Sequence, residues 1–389
     1  MHRALATCRG VAAGVLLLAC SVSASAAAHV LTPPTGTATV SGTVTQTGGA
    51  RLPGMLVRAR VAGTNPASCT AAAGCVISYS GATGTYSLAG LAPGVYELSV
   101  LDGARTVDLR RITVRAGTTT LTVPLTLGPP SVPAGTATRH ARRDLAWLRA
   151  ERARDGLPSA VTLNPRWSLE CAAHDDYEAA AGVLTPAEDP TASGASTGGA
   201  WAGLNSDLAE GRWTAAATPW EQAPVHLLAL LAPSLSVTGI DDSGTLQCAI
   251  TFPGMLRRWT RPDTVTTVPA PGATRVARSE LARESPFTPV QFVGLAASRR
   301  TGRELFVYLN RHGELGQAPV RIIHASLRSH GRAVAVRWVD ASTRTLGPYL
   351  AGGILIPLRP LAPRAEYRAS VTVRDGARTL TRVWRFSTR

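Results

Sequence analysis

Two histidines define the chemistry this chain could carry. His174 stands three residues after Cys171 and four before Glu178, so a helix would project all three from one face, with Glu170 one turn earlier. A histidine between carboxylates can hold a metal ion or act as a general base with a raised pKa. It can equally be a buried histidine that hydrogen-bonds its helix neighbours and steadies a cleft floor. His226 closes the segment Trp220-x-x-x-Pro224-x-His226, where it either lines a cleft or satisfies backbone groups at a helix start. Glu221 either offers that cleft a carboxylate or sits exposed in a first turn. Glu188 and Asp189 order a turn before Pro190. The catalytic candidates are therefore His174, His226, Glu178 and Glu221.

Other chemistries find no matching pattern. There is no G-x-S-x-G elbow, and Gly194 to Gly199 is a small-residue loop without strand-to-helix context. Neither a Walker-type phosphate loop nor a dinucleotide-binding glycine pattern occurs. No CxxC pair or clustered Cys/His spacing supports zinc, so neither metal nor cofactor is expected. Cys69, Cys75, Cys171 and Cys248 form an even, sparse set of the kind that pairs in an oxidising compartment. Of the three possible pairings, Cys69–Cys75 with Cys171–Cys248 keeps each bridge inside one of the domains drawn below. Closing the longer loop would contribute about 4–5 kcal/mol on the chain-entropy account.

The start of the chain reads as an export leader over residues 1–28. Arg3 and Arg9 precede an apolar stretch from Val11 to Ala19, and Ala24-Ser25-Ala26 and Ala26-Ala27-Ala28 are small-residue cleavage sites. Leu17-Leu18-Ala19-Cys20 resembles a bacterial lipobox, which would put a lipid anchor on Cys20. No later run of eighteen apolar residues exists, so no membrane span is expected and the product is secreted or held at the cell surface. The formal charge is +15 and all 40 basic residues are arginine. That usage reads as codon bias and solvated charge, or as attraction to anionic partners. No arginine-aromatic stacking platform stands out, so nucleic acid is not an expected partner.

With 389 residues, 37 glycines and 27 prolines, the chain suits two or three domains of short strands. Alternation runs from about 38 to 127, as in Tyr96-Glu-Leu-Ser-Val-Leu101, and predicts an antiparallel sandwich. Linkers are expected at 29–37, 128–137 and 264–285. Between the last two, helices are expected over 139–154, from the Asn164-Pro165 start to about 181, and over 224–231. Strands should follow at 236–240 and 245–252. Alternation returns from 289 to 389, in Glu304-Leu-Phe-Val-Tyr-Leu309 and Tyr367-Arg-Ala-Ser-Val-Thr-Val373, and predicts an immunoglobulin-like or fibronectin-like sandwich over 287–389.

Two resemblances add to this reading. Ser41-Gly-Thr-Val44, Leu52-Pro-Gly-Met-Leu-Val57 and the run from Gly84 to Leu98 resemble the carboxypeptidase regulatory-like domain, a prealbumin-like sandwich, over 38–127. Residues 139–262 resemble the CAP superfamily of cysteine-rich secretory, antigen 5 and pathogenesis-related proteins, in its bacterial extracellular branch. The motifs are Arg152-x-x-x-Gly-Leu-Pro158, Leu163-Asn-Pro165, Cys171-Ala-Ala-His174 with Tyr177, Glu188-Asp-Pro190, Ala202-Gly-Leu-Asn-Ser206, Trp220 to His226 and Leu231-Ala-Pro-Ser-Leu235 with Gly239. The resemblance implies a central α-β-α sandwich, hence a multidomain α+β class. It also implies a cleft lined by His174, Tyr177, Glu188, Asn205, Trp220 and His226.

Family members hold two histidines and two glutamates in that cleft, and here the set fails. Pro186 stands where the branch has histidine, Leu204 where Gly-Glu-Asn has glutamate, and Cys248 to Thr251 contains no histidine. Neither proline nor leucine binds a metal or moves a proton. The expected function is a non-catalytic binding or adhesive protein whose ligand is a cell-envelope lipid, glycan or protein. The rival is a metal-assisted hydrolase using His174 and His226 in a rearranged cleft.

Overall fold

The computed structural model describes residues 36–63, 75–127, 138–211, 213, 218–314 and 316–389. The expected leader, the lipobox at Cys20, Cys69 and the linker at 128–137 lie outside these residues.

Eight strands build the N-terminal unit: β1 (Ala38–Gln46), β2 (Leu56–Val61), β3 (Val76–Tyr79), β4 (Thr85–Leu91), β5 (Gly94–Asp102), β6 (Arg105–Val114), β7 (Thr120–Thr122) and β8 (Leu125–Leu127). They form one sheet ordered β4-β1-β7, with β8 also on β1, and a second ordered β3-β2-β5-β6. Alternation is the cause. Val40, Val44, Val57, Ala59, Leu88, Leu98 and Val100 all face inward and are buried between the sheets.

The central segment contains α1 (Arg139–Arg154), β9 (Thr162–Leu163), α2 (Pro165–Ala181), α3 (Thr197–Asn205), β10 (Ser206–Glu210), α4 (Pro224–Leu230), β11 (Val237–Thr238), β12 (Ile240–Asp242) and β13 (Leu246–Ile250). Asn164 caps α2 by accepting from the amides of Arg166 and Trp167, Pro165 takes the first helical position, and Gly182 ends it at φ 68°. Strands β10, β13 and β12 form a three-stranded sheet. One face of it packs on α2 through Cys248, Ile250, Cys171 and Trp167. The Cys171–Cys248 disulfide ties helix to strand, with Cα atoms 5.4 Å apart. Cys75 is buried; its expected partner Cys69 is among the undescribed residues.

The C-terminal unit begins earlier than the sequence suggests. Segment 264–285, expected as a linker, carries β14 (Thr264–Val268) and β15 (Ala273–Val276), which precede α5 (Pro289–Phe292). Then come β16 (Leu305–Asn310), β17 (Arg321–Ser329), β18 (Arg332–Val334), β19 (Val336–Val339), β20 (Gly353–Pro357), β21 (Glu366–Asp375) and β22 (Arg378–Thr388). The β-branched run of β14 pairs with β16, and β15 pairs with β22. The prolines that suggested a linker stand between these strands, where no ladder amide is needed. The two sheets are ordered β14-β16-β20-β19 and β15-β22-β21-β17-β18.

The expected α+β class with a central α-β-α sandwich is not what forms. Among the described residues the protein is β-rich, 40% strand and 19% helix. The physical reason lies in β16, which is buried along its whole length. Leu305, Val307 and Leu309 fill the C-terminal sandwich. Phe306 and Tyr308 point the other way, into a core with Leu145, Leu148, Trp220, Leu227, Leu228, Ile240 and Ala249. The second face of the small central sheet thus merges with the C-terminal sheet instead of closing a separate three-layer sandwich. A run buried on both faces reads in sequence like any apolar strand.

Candidate functional site

The two histidines occupy different environments. On α2, the His174 ring is fully buried. Its Nδ1 lies 2.9 Å from a Glu188 oxygen and its Nε2 3.0 Å from the Thr185 carbonyl, with Glu178 at 3.5 Å. Glu178 accepts the Thr185 amide, and the other Glu188 oxygen accepts that of Ser196. Tyr177 stacks beside the ring at 6.1 Å and its hydroxyl accepts the Asp189 amide. Burial pulls the His174 pKa down, but the hydrogen bonds and charges of Glu178 and Glu188 outweigh it, and the net shift is upward. The cluster fastens the 185–196 loop to α2. Both ring nitrogens are engaged, so the ring has no coordination site left to offer.

Helix α3, whose first residues were expected as a loop, closes this cluster. Ser196 caps it through the Gly199 amide. A Cβ at Gly203 would overlap the His174 ring, and one at Gly199 would overlap Glu188. Glycines that read as loop residues are here what lets a helix approach its neighbour. Asn205, expected in the cleft, turns its amide onto the Trp201 carbonyl. Leu204 is exposed.

His226 is the reachable histidine, with its side chain 22% exposed. Its Nδ1 lies 3.0 Å from Glu284, whose carboxylate also accepts the Val225 amide, and its ring stacks on Trp220 at 6.0 Å. Trp220 is itself fully buried, so it supports the ring without offering a face to solvent. Burial lowers the His226 pKa, yet Glu284 and the charge of Asp207 raise it overall. Asp207 on β10 is buried and pushed up to about 7, by burial first, against the charge of His226. Its Oδ2 has no close hydrogen-bond partner, and the Thr251 hydroxyl is its side-chain neighbour and tempers the shift. Ser206, next to Asp207 on β10, points to the opposite face of the sheet, toward α2. Backbone joins their segments, for the Thr251 amide donates to the Asn205 carbonyl.

Glu221 is half exposed and pairs with Arg303, which also reaches Glu280. Behind them Glu304 is buried with neither oxygen partnered, and burial raises its pKa well above the usual range. An open depression of about 510 Å³ lined by Thr260, Pro262, Asp263, His312, Arg378 and Leu380 shares no residue with the His226 site.

The expected cleft is therefore divided. His174, Tyr177, Glu178 and Glu188 assemble as a sealed cluster. Trp220 and His226 assemble elsewhere, with partners the sequence reading missed. Glu284 was hidden in the supposed linker, and Asp207 lies just beyond the Ala202 to Ser206 motif. Among the described residues, no three His, Cys, Asp or Glu side chains converge as metal ligands. No helix among them is long and apolar enough to cross a membrane.

No family model matches the sequence. No curated protein matches it either. Among solved structures, a candidate carbohydrate-binding protein from Pseudomonas aeruginosa is 14% identical, with 24% of this chain and 89% of that chain covered and a TM-score of 0.18. The full-length major pilin SpaD from Corynebacterium diphtheriae is 8% identical, with 89% of this chain covered and a TM-score of 0.18. The match spans 64% of that pilin, under two thirds of its length.

Proposed function

We propose that this is an extracytoplasmic binding protein that holds a polyhydroxylated envelope ligand, a glycan, beside His226 without turning it over. One observation carries the reading. Beside the reachable imidazole lies the buried Asp207 carboxylate, whose charge raises the His226 pKa and whose Oδ2 has no close hydrogen-bond partner. Buried polar atoms left open in a folded chain call for a partner, and sugar hydroxyls both donate and accept. A lipid tail would satisfy none of them. Turnover is disfavoured because, among the described residues, no hydroxyl or thiol is hydrogen-bonded to the His226 ring, so no nucleophile–base pair stands ready. The metal-assisted alternative needs His174 and His226 in one site, and their partner sets are disjoint.

Location outside the cytoplasm is supported by the leader-like start and by the Cys171–Cys248 disulfide, a bond that persists in oxidising compartments. Kinship of 139–262 with the CAP superfamily is proposed on motif order alone. Calorimetric titration with soluble neutral wall oligosaccharides tests the site. Asp207→Asn and His226→Ala should each weaken binding about tenfold or more, in variants whose circular dichroism shows the native fold. Undiminished binding in both variants would move the ligand elsewhere.

A further inference from the structure

The C-terminal sheet carries charge that its fold does not need. Residues 321–389 hold thirteen arginines against Asp340, Glu366 and Asp375, which makes ten of the chain's net +15. Strand pairing gathers five of these arginines into rows. Arg328 on β17 is directly opposite Arg368 on β21, which is opposite Arg385 on β22. Arg321 is likewise opposite Arg374. Opposed residues share a face, and these five side chains are all exposed, while Tyr367, Ala369, Val371 and Val373 point into the core.

Like charges set opposite one another destabilise a sheet, so such rows are a cost unless something uses them. Glu366 pairs with Arg385, but among the described residues Arg321, Arg328, Arg368 and Arg374 have no carboxylate partner. Neighbouring strands stand about 4.8 Å apart, and the rows at Arg368 and Arg374 are roughly 20 Å apart along β21. Between them the same face presents His324, Thr372, Thr381, Ser326 and Ser370.

We propose that this outer sheet face is a docking surface for an anionic glycan polymer, separate from the site at His226. The arginine rows would hold phosphate, sulfate or carboxylate groups, and the hydroxyl rows between them would meet sugar hydroxyls. The aromatic residues of the sheet, Tyr367, Trp384 and Phe386, all face inward and are buried. The face therefore lacks the stacking platform that single-stranded nucleic acid uses. Its exposed apolar residues, Val383 and Ile323, are too few to enter a bilayer.

The test measures binding of the full chain to dextran sulfate, neutral dextran and an oligothymidine of matched charge, across a salt series. The expected order is dextran sulfate tightest, then oligothymidine, with neutral dextran unbound. The triple variant R328Q/R368Q/R374Q should lose about tenfold or more at about 150 mM salt, with the log–log salt slope reduced by about 2–3. R139Q/R142Q/R299Q removes the same charge from other exposed positions and should stay within about twofold. R328K/R368K/R374K keeps the charge and should keep binding within about threefold, which guards against misreading a folding defect. Equal losses in the two Gln triples, loss in the Lys triple, or tighter binding of oligothymidine would each overturn the proposal.

Discussion

At the scale of single residues, the sequence singles out His174 and His226 but does not reveal which one meets solvent. The helical spacing of Cys171, His174 and Glu178 puts them on one buried face, as expected. Spacing along one helix says nothing of the loop that returns to cover it, and Glu188 and Thr185 fill both ring nitrogens from that loop. His226 depends on Glu284, 58 residues later, a separation no local pattern reports. The contrast has a direct readout. Deuterium exchange at the histidine C2 carbon, followed by mass spectrometry, should run at least about tenfold slower at His174 than at His226. Equal rates would put both rings in contact with water and undo the assignment.

At the scale of elements, helix starts were the most legible features. Asn164-Pro165 and Pro224 open α2 and α4 as expected, because caps and first-turn prolines act locally. Helix α3 was not legible, since its glycines lower intrinsic propensity and only packing against α2 compensates. Arg152 shows how elements are joined beyond the backbone. Fully buried at the end of α1, it donates to the carbonyls of Pro158, Leu230, Ala232 and Leu235, bridging α1 to the end of α4. Burial lowers its pKa to about 10, which leaves it charged. Arg152→Ala should therefore cost about 3 kcal/mol or more by leaving those carbonyls unsatisfied, as measured by denaturant unfolding. A loss under about 1 kcal/mol would mean water replaces the guanidinium.

At the scale of the molecule, the two outer sandwiches follow from alternation, whereas the fusion of central segment and C-terminal sheet was hidden. Only the depth of β16, with Tyr308 donating to the Leu228 carbonyl, reveals it. Buried acids distribute charge across this body. Asp175 is pushed up to about 9 by burial and then by Asp241, and Glu151 and Glu170 to about 7 by burial first. Each folded pKa lies above its unfolded value, so the folded chain binds more protons and loses stability as pH rises from about 4 to 9. The raised His174 and His226 act in the same direction, their contribution being full below about 6.5 and lost above it. Melting temperature should fall from pH 5 to pH 9, and Asp175→Asn should raise it at pH 8 by about 3–5 °C. A flat profile would show that these acids find water.

The decisive measurement pairs saturable binding with the fate of the ligand. The full chain is incubated with a neutral wall oligosaccharide at saturating concentration, and the sugar is then recovered for mass analysis. Saturable binding abolished by D207N, with the oligosaccharide recovered intact, is the predicted result. Shortened products that vanish in the same variant would identify a catalyst and contradict the account.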